Sequence, residues 1–213
     1  MKQDAPHPTH SCKCLPSGNL QGGEDVTAPS SQNNIYQHAL LPCMVLEYSY
    51  KHRLRQKEIS LIANELNARL GTVVFSGTDN VESASLRGFG AMEQYDILFV
   101  DNELVGIISG KTPMLTVRGL LRYTATKKHV TVDMGAVPHI CNGADVMTPG
   151  IADADPGIAA GDFVWMRDEK NRKPLAIGES LMPGEGLRSS EKGKGVRMIH
   201  HVGDELWGVG GKQ

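Results

Sequence analysis

Glycine and cationic side chains alternate in one stretch of this 213-residue sequence in a way that suits an anion. The stretch is Lys192-Gly193-Lys194-Gly195-Val196, followed by Arg197 and His200-His201. Gly135 and Gly143 bracket a segment long enough for one or two helical turns. Glycine there allows close backbone approach and unusual dihedral angles, so exposed amides at the helix ends could hold phosphate. The same glycines also suit the turns of a tight barrel with no ligand. A second basic strip, Lys51-His52-Arg53-Leu54-Arg55-Gln56-Lys57, precedes a helical pattern. If it is extended, Lys51, Arg53, Arg55 and Lys57 share one face. That face fits RNA phosphate or a protein partner, and a solubilising helix entrance equally well. Arg118 and Arg122 lie four apart and share a helical face, one of them suited to bracing a junction.

Other chemistries find less support. Gly110-Lys111-Thr112 resembles the end of a phosphate-binding loop, but Val105 stands where the motif needs its first glycine, so ATP binding is not expected. His7, His10, Cys12 and Cys14 match no metal-finger spacing, and no metal site or cofactor is expected. There is no HExxH, no GxSxG and no dinucleotide fingerprint after a strand. Asp133 and Asp145 read as partners for turn and barrel amides, and Cys141 as a small apolar residue. The expectation is a protein without catalytic residues.

The elements that must position these residues fall into two groups. Ile59, Ile62, Leu66 and Leu70 predict an amphipathic helix over 54–70, with Gly71 as its stop. Strands are predicted at 72–75, 81–86, 95–100 and 104–108, the last two joined by a turn at Asp101-Asn102-Glu103, and a short helix at 116–123. Beyond Lys127-Lys128 come short strands between glycines, at 130–132, 145–147, 163–166, 175–177, 196–201 and 206–209, with one helical turn over 136–142. Closely spaced short strands with Gly-rich turns predict a small barrel. The expected organisation is α+β: a disordered tail over 1–43, an α+β domain over 44–127 and a barrel domain over 128–213. Met44 opens the first apolar pattern, so the tail is read as a candidate start-site artefact.

Composition narrows the class. Hydrophobic residues are 40% of the chain and charged residues 22%, an ordinary globular mix. No apolar run approaches the roughly 18 residues of a membrane helix, so no membrane partner is expected. Cysteines at 12, 14, 43 and 141 do not form a disulfide framework, and the N-terminus has no apolar signal region, which points to the cytoplasm. The net charge of −2 does not exclude nucleic acid, because binding depends on where charge sits.

Five elements occur in order over about 80 residues: Val132-Asp133-Met134-Gly135-Ala136, Asn142-Gly143-Ala144-Asp145-Val146-Met147-Thr148-Pro149-Gly150-Ile151, Gly161-Asp162-Phe163-Val164, Ala176-Ile177-Gly178 and Lys192-Gly193-Lys194-Gly195-Val196. This series resembles the PUA domain, an RNA-binding module. Upstream, Leu115-Thr116-Val117-Arg118-Gly119-Leu120-Leu121 is similar to a Pro-Thr-Leu-Arg-x-Leu-Leu segment ahead of certain PUA domains. Together with Ile199-His200 and Gly203-Asp204-Glu205-Leu206-Trp207, it resembles the malignant T-cell-amplified-sequence family and its archaeal counterparts over residues 50–209. Leu115 replaces a proline, and Met134 stands where the eukaryotic proteins have a lysine.

The resemblance implies a pre-PUA α+β domain followed by a PUA β-barrel with a short helix. It also implies a non-enzymatic protein that docks structured RNA, a tRNA acceptor region or small-subunit rRNA, in translation or in tRNA and rRNA metabolism. Implied RNA contacts are Gly143, Ala144, Val146, Lys194, Arg197 and His200; the reading of the residues adds Gly135 and Lys192, and offers Lys51, Arg53, Arg55, Lys57, Arg118 and Arg122 as a candidate extended surface for RNA or a partner. Implied partners include the small ribosomal subunit and a separate initiation-factor-type protein. An accessory subunit delivering RNA to a modification enzyme, and a protein–protein adaptor built on a PUA barrel, are the alternatives.

Overall fold

The computed structural model describes residues 46, 48–76, 79–87 and 94–209. The tail over 1–43, with its cysteine and histidine residues, lies outside them.

The first sheet grows from local turn chemistry. Strands β1 (His52–Arg53), β2 (Val81–Arg87), β3 (Gln94–Val100), β4 (Glu103–Ser109) and β5 (Thr112–Leu115) pair antiparallel in sequence order. Asp101 and Asn102 both take positive φ, 51° and 70°, which is the backbone a two-residue hairpin requires. Gly110, at φ 62°, turns β4 into β5, so the Gly-Lys-Thr segment is a hairpin turn. Helix α1 (Gln56–Leu70) begins where the Glu58 carboxylate accepts from the Arg55 N–H at 2.8 Å and ends at Gly71, φ 61°. The extended basic strip therefore stops early. Only residues 52 and 53 are strand, Arg55 caps the helix, and Lys57 belongs to its first turn. Helix α2 (Val117–Arg122) is capped by Thr116, whose hydroxyl accepts from the Gly119 N–H.

The second sheet has the order β7-β11-β10-β9-β6-β8 and curls into a near-closed barrel. It comprises β6 (His129–Val132), β7 (Val146–Met147), β8 (Ile151–Ala154), β9 (Phe163–Asp168), β10 (Pro174–Ser180) and β11 (Lys194–His201), with β6 and β9 parallel. Helix α3 (Val137–Cys141) bridges β6 and β7, α4 (Gly184–Ser189) bridges β10 and β11, and α5 (Glu205–Gly208) follows β11. The fold is α+β.

Two predicted strands are not strands. Residues 72–75 run without a partner; Val73 is 84% exposed and Phe75 takes φ 56°, since strand propensity does nothing where no neighbour pairs. Residues 205–208 are helical because Asp204 accepts from the Trp207 N–H at 2.8 Å, and this local cap overrides the apolar alternation. Strands β5 and β8 and helix α4 are additional to the sequence reading.

Strand alternation sorts the cores. Val164, Met166 and Ala176 face the barrel interior with Val130, Val132, Ile140, Val146 and Leu187. Trp165 and Ile177 point the other way and join Leu86, Tyr95, Ile97 and Phe99 of the first sheet. Ile59 and Ile62 of helix α1, with Leu54 just ahead of it, pack against Val81, Leu98 and Val100 on that sheet's other face, while Leu66 and Leu70 of the same helix join the first cluster. No helix among the described residues is long and apolar enough to cross a membrane.

Gly119 lies against β4 so closely that a Cβ there would sit 1.9 Å from the Val105 carbonyl oxygen. Gly119→Ala is expected to push α2 off the sheet and cost roughly 2–3 kcal/mol in urea denaturation.

Candidate nucleic-acid interface

The turn from β6 into α3 is built by one carboxylate. Asp133 Oδ1 accepts from the Ala136 N–H at 2.7 Å and starts the helix, while Pro138 sits in its first turn. The helix ends at Gly143, φ 81°, whose N–H donates to Ile140 O at 2.9 Å. A side chain at Gly143 would also collide with the His201 ring, its Cβ 2.9 Å from Nε2. The chain then turns through Ala144 and Asp145 into β7, which pairs with the start of β11, Met147 opposite Lys194.

Between α3 and β7 lies an open groove of about 490 Å³. Ile140 and Val146 form its buried apolar floor; Gly135, Ala136 and Ala144 leave room above it, and His139, Asp133, Asp145 and Met147 edge it. Asp145 is its electrostatic centre. Lys194 Nζ lies 2.6 Å from one carboxylate oxygen and the Met198 N–H donates to the other at 2.7 Å. Burial works against ionising Asp145, but those two partners hold its carboxyl below the ordinary range.

A family model for the PUA domain matches residues 128–202. The chain is 33% identical over 168 residues to an uncharacterized protein of Methanocaldococcus jannaschii, covering 78% of this chain and all of that one. It is 32% identical over 121 residues to malignant T-cell-amplified sequence 2 of Homo sapiens, covering 54% of this chain and 66% of that one. The chain belongs to the family of PUA-domain proteins that unites the malignant T-cell-amplified sequences with their archaeal counterparts. A hypothetical protein of known structure from Pyrococcus horikoshii OT3 is 36% identical, with a TM-score of 0.64 over 76% of this chain and 100% of that one. Translation machinery-associated protein 20 of Eremothecium gossypii is 36% identical over 98 residues, 43% of this chain and 54% of its own.

In this PUA fold the sequence-derived site residues separate into groups. Gly135, Ala144 and Val146 come together in the groove, with Lys194 at its rim through Asp145; Gly143 closes the helix beside it. Val146 is buried, so it offers floor and not a reaching side chain. Lys192 is exposed on the loop before β11. Arg197 faces Glu179 across β10 and β11 and is ion-paired to it. His200 is only 1% exposed, and its Nδ1 lies 2.8 Å from the Asp204 carboxylate, so its ring faces inward. The amides expected to be open at the start of α3 are engaged: Ala136 N–H by Asp133, and Met134 N–H by Glu169 at 3.2 Å.

The N-terminal cations separate too. Lys51 donates to Asn102 Oδ1 at 2.6 Å and lies 3.7 Å above the Phe99 ring, while Arg53, Arg55 and Lys57 are exposed. Arg118 stacks on Trp207 at 4.2 Å and donates twice to its carbonyl, bracing α2 against α5. Arg122 pairs with Asp101 and Glu103. Sequence reasoning passed over His139, Met147 and Pro149 as groove residues; the Thr148-Pro149-Gly150 motif was the only local hint of their position.

Asp204 ties β11 to α5. Burial opposes its charge, yet His200 and the N–H groups of Trp207 and His201 depress its pKa. A depressed carboxylate contributes stability that is present above its unfolded pKa of about 3.9 and lost as pH falls through the folded value. Asp204→Asn is therefore expected to lower stability at pH 7 and to flatten the acid limb of a denaturation-versus-pH series below about pH 4.

Proposed function

We propose that this protein is a non-enzymatic RNA-binding protein of the translation machinery. In this reading it docks structured RNA, a tRNA acceptor region or small-subunit rRNA, in the groove between α3 and β7. The observation that carries it is the convergence of Gly135, Ala144 and Val146 on one groove, with the Lys194 cation held at the rim. The groove's apolar floor suits unpaired bases, and its glycine edges let an RNA backbone come close. Membership of a family that includes translation machinery-associated protein 20 supports the setting.

Residues 44–127 act as a pre-PUA unit and residues 128–213 as the RNA-docking unit, working in the cytoplasm with the small subunit and a separate initiation-factor-type protein. Lys192 contributes phosphate attraction from the adjoining loop. Lys194 and Arg197 contribute it only in competition with Asp145 and Glu179, which makes the protein selective for RNA that also fills the groove. That pre-pairing is also the one observation favouring a protein–protein adaptor.

Fluorescence titration of labelled tRNA and of small-subunit rRNA at two salt concentrations separates the readings. Ala144→Trp should fill the groove and weaken binding at least tenfold with unchanged thermal stability, and Lys194→Ala should lower the salt slope by about 1. Absence of binding to either RNA in the unaltered protein would leave the adaptor reading in possession.

A further inference from the structure

The hairpin between β9 and β10 carries more cations than carboxylates: Arg167, Lys170, Arg172 and Lys173 against Asp168 and Glu169. Lys170, Arg172 and Lys173 are all exposed, and none of their side chains has an ion-pair or hydrogen-bond partner among the described residues. Of the barrel's other cations near candidate contacts, Lys192 is likewise exposed, whereas Lys194 pairs with Asp145, Arg197 with Glu179 and Arg188 with Asp153. Behind the three, Arg167 is held by Thr131 Oγ1 at 3.0 Å, and both burial and the nearby Arg172 charge push its pKa down. Four cationic side chains thus stand on one hairpin.

The hairpin is also firmly built. Asp168 is only 4% exposed and accepts from the N–H groups of Asn171 and Lys173. Burial opposes its ionisation, but these amides hold its carboxyl below the ordinary range, so it stays charged inside the loop. Arg172 is fixed at φ 55°, a left-handed conformation unusual for a residue with a side chain.

Its place in the sheet decides what it faces. Strands β6 and β9 are parallel, Val132 beside Asp168, so the chain leaves both at the same end of the sheet. From β6 it enters the Asp133–Ala136 rim of the groove; from β9 it enters the cationic hairpin. Glu169 joins the two, its N–H donating to Val132 O at 3.0 Å and its carboxylate accepting from Met134.

We propose that Lys170, Arg172 and Lys173 form a second anion site, a cradle for the phosphates of an RNA strand that enters or leaves the α3–β7 groove over the Asp133–Ala136 rim. This rests on the RNA-docking reading of the groove. An RNA strand whose bases occupy the groove must carry its phosphates out over one rim, and this rim adjoins a hairpin whose exposed cations outnumber its carboxylates Asp168 and Glu169.

The test is Lys170→Gln/Lys173→Gln in the full chain, titrated with 5′-labelled tRNA and with a labelled small-subunit rRNA fragment over a series of salt concentrations. Arg172→Gly, which relieves the left-handed backbone, is measured separately, and thermal denaturation checks that each variant is folded. The expected result is a fall in the salt slope of about 1 for each lost contact, and weaker binding by about fivefold per contact near 0.1 M salt, for at least one of the two RNAs. If the unaltered protein binds RNA and Ala144→Trp abolishes binding, but the hairpin variants keep slope and affinity with both RNAs, the cradle is refuted and the groove stands. If the unaltered protein binds neither RNA, the groove reading fails and the cradle with it. Loss of binding to an acidic protein, with RNA binding unchanged, would make the hairpin a protein contact and overturn the assignment.

Discussion

The layer of side chains between the first sheet and the outside of the barrel is the contact on which everything else depends. Trp165, Ile177 and Leu206 from the barrel half meet Leu86, Tyr95, Ile97, Phe99 and Ile107 in one buried cluster. Each such side chain contributes on the order of 1.5–3 kcal/mol when fully buried, and neither surface could stay in water without exposing a broad apolar face. Polar contacts orient the layer: Trp165 Nε1 donates to Lys127 O at 2.8 Å, and Arg118 closes over Trp207. The outward residues of β9 and β10 are committed to this layer. Their inward residues are therefore committed to the barrel, and α3 and β7 are pressed against that second core through Ile140 and Val146.

The candidate interface follows from that arrangement through electrostatics. The PUA half carries nine basic and twelve acidic residues over 133–213, so its net charge supplies no general attraction for a polyanion. Its acids are placed to neutralise particular cations, Asp145 on Lys194 and Glu179 on Arg197, and to hold turns, as Asp133, Asp168 and Asp204 do. Attraction to phosphate is then confined to cations without partners, and shape governs the rest. On the proposed reading, such a surface accepts RNA that fits the groove and gains little from RNA that does not.

How far the sequence reached depends on the range of the physics. Helix α1, its Gly71 stop and the Asp101-Asn102 turn follow from residues close together in the chain. The failures lie where a local signal needed a distant partner or met a stronger local one. Residues 72–75 had strand composition but no neighbouring strand, and the apolar run at 206–209 lost to the Asp204 cap. Strands β5 and β8 were passed over because Pro113 in one and Asp153 in the other are poor strand formers, and each strand gains its identity from pairing.

The same division runs through the site. By itself the sequence determined the α+β class, the PUA family motifs and the presence of Gly135, Ala144, Val146 and Lys194 in them, because such patterns are properties of residue order. Only the tertiary structure decided which charged groups are free to meet a ligand. His200 reads as a surface histidine beside His201, but strand alternation and Asp204 turn it inward. Lys194 and Arg197 read as open cations, but carboxylates 49 and 18 residues earlier in the chain lie against them. Lys170, Arg172 and Lys173 carried no particular signal in the sequence, and stand by the groove because β6 and β9 run parallel. Charge type is written in the chain; whether a charge is satisfied depends on what folding brings within a few ångströms of it.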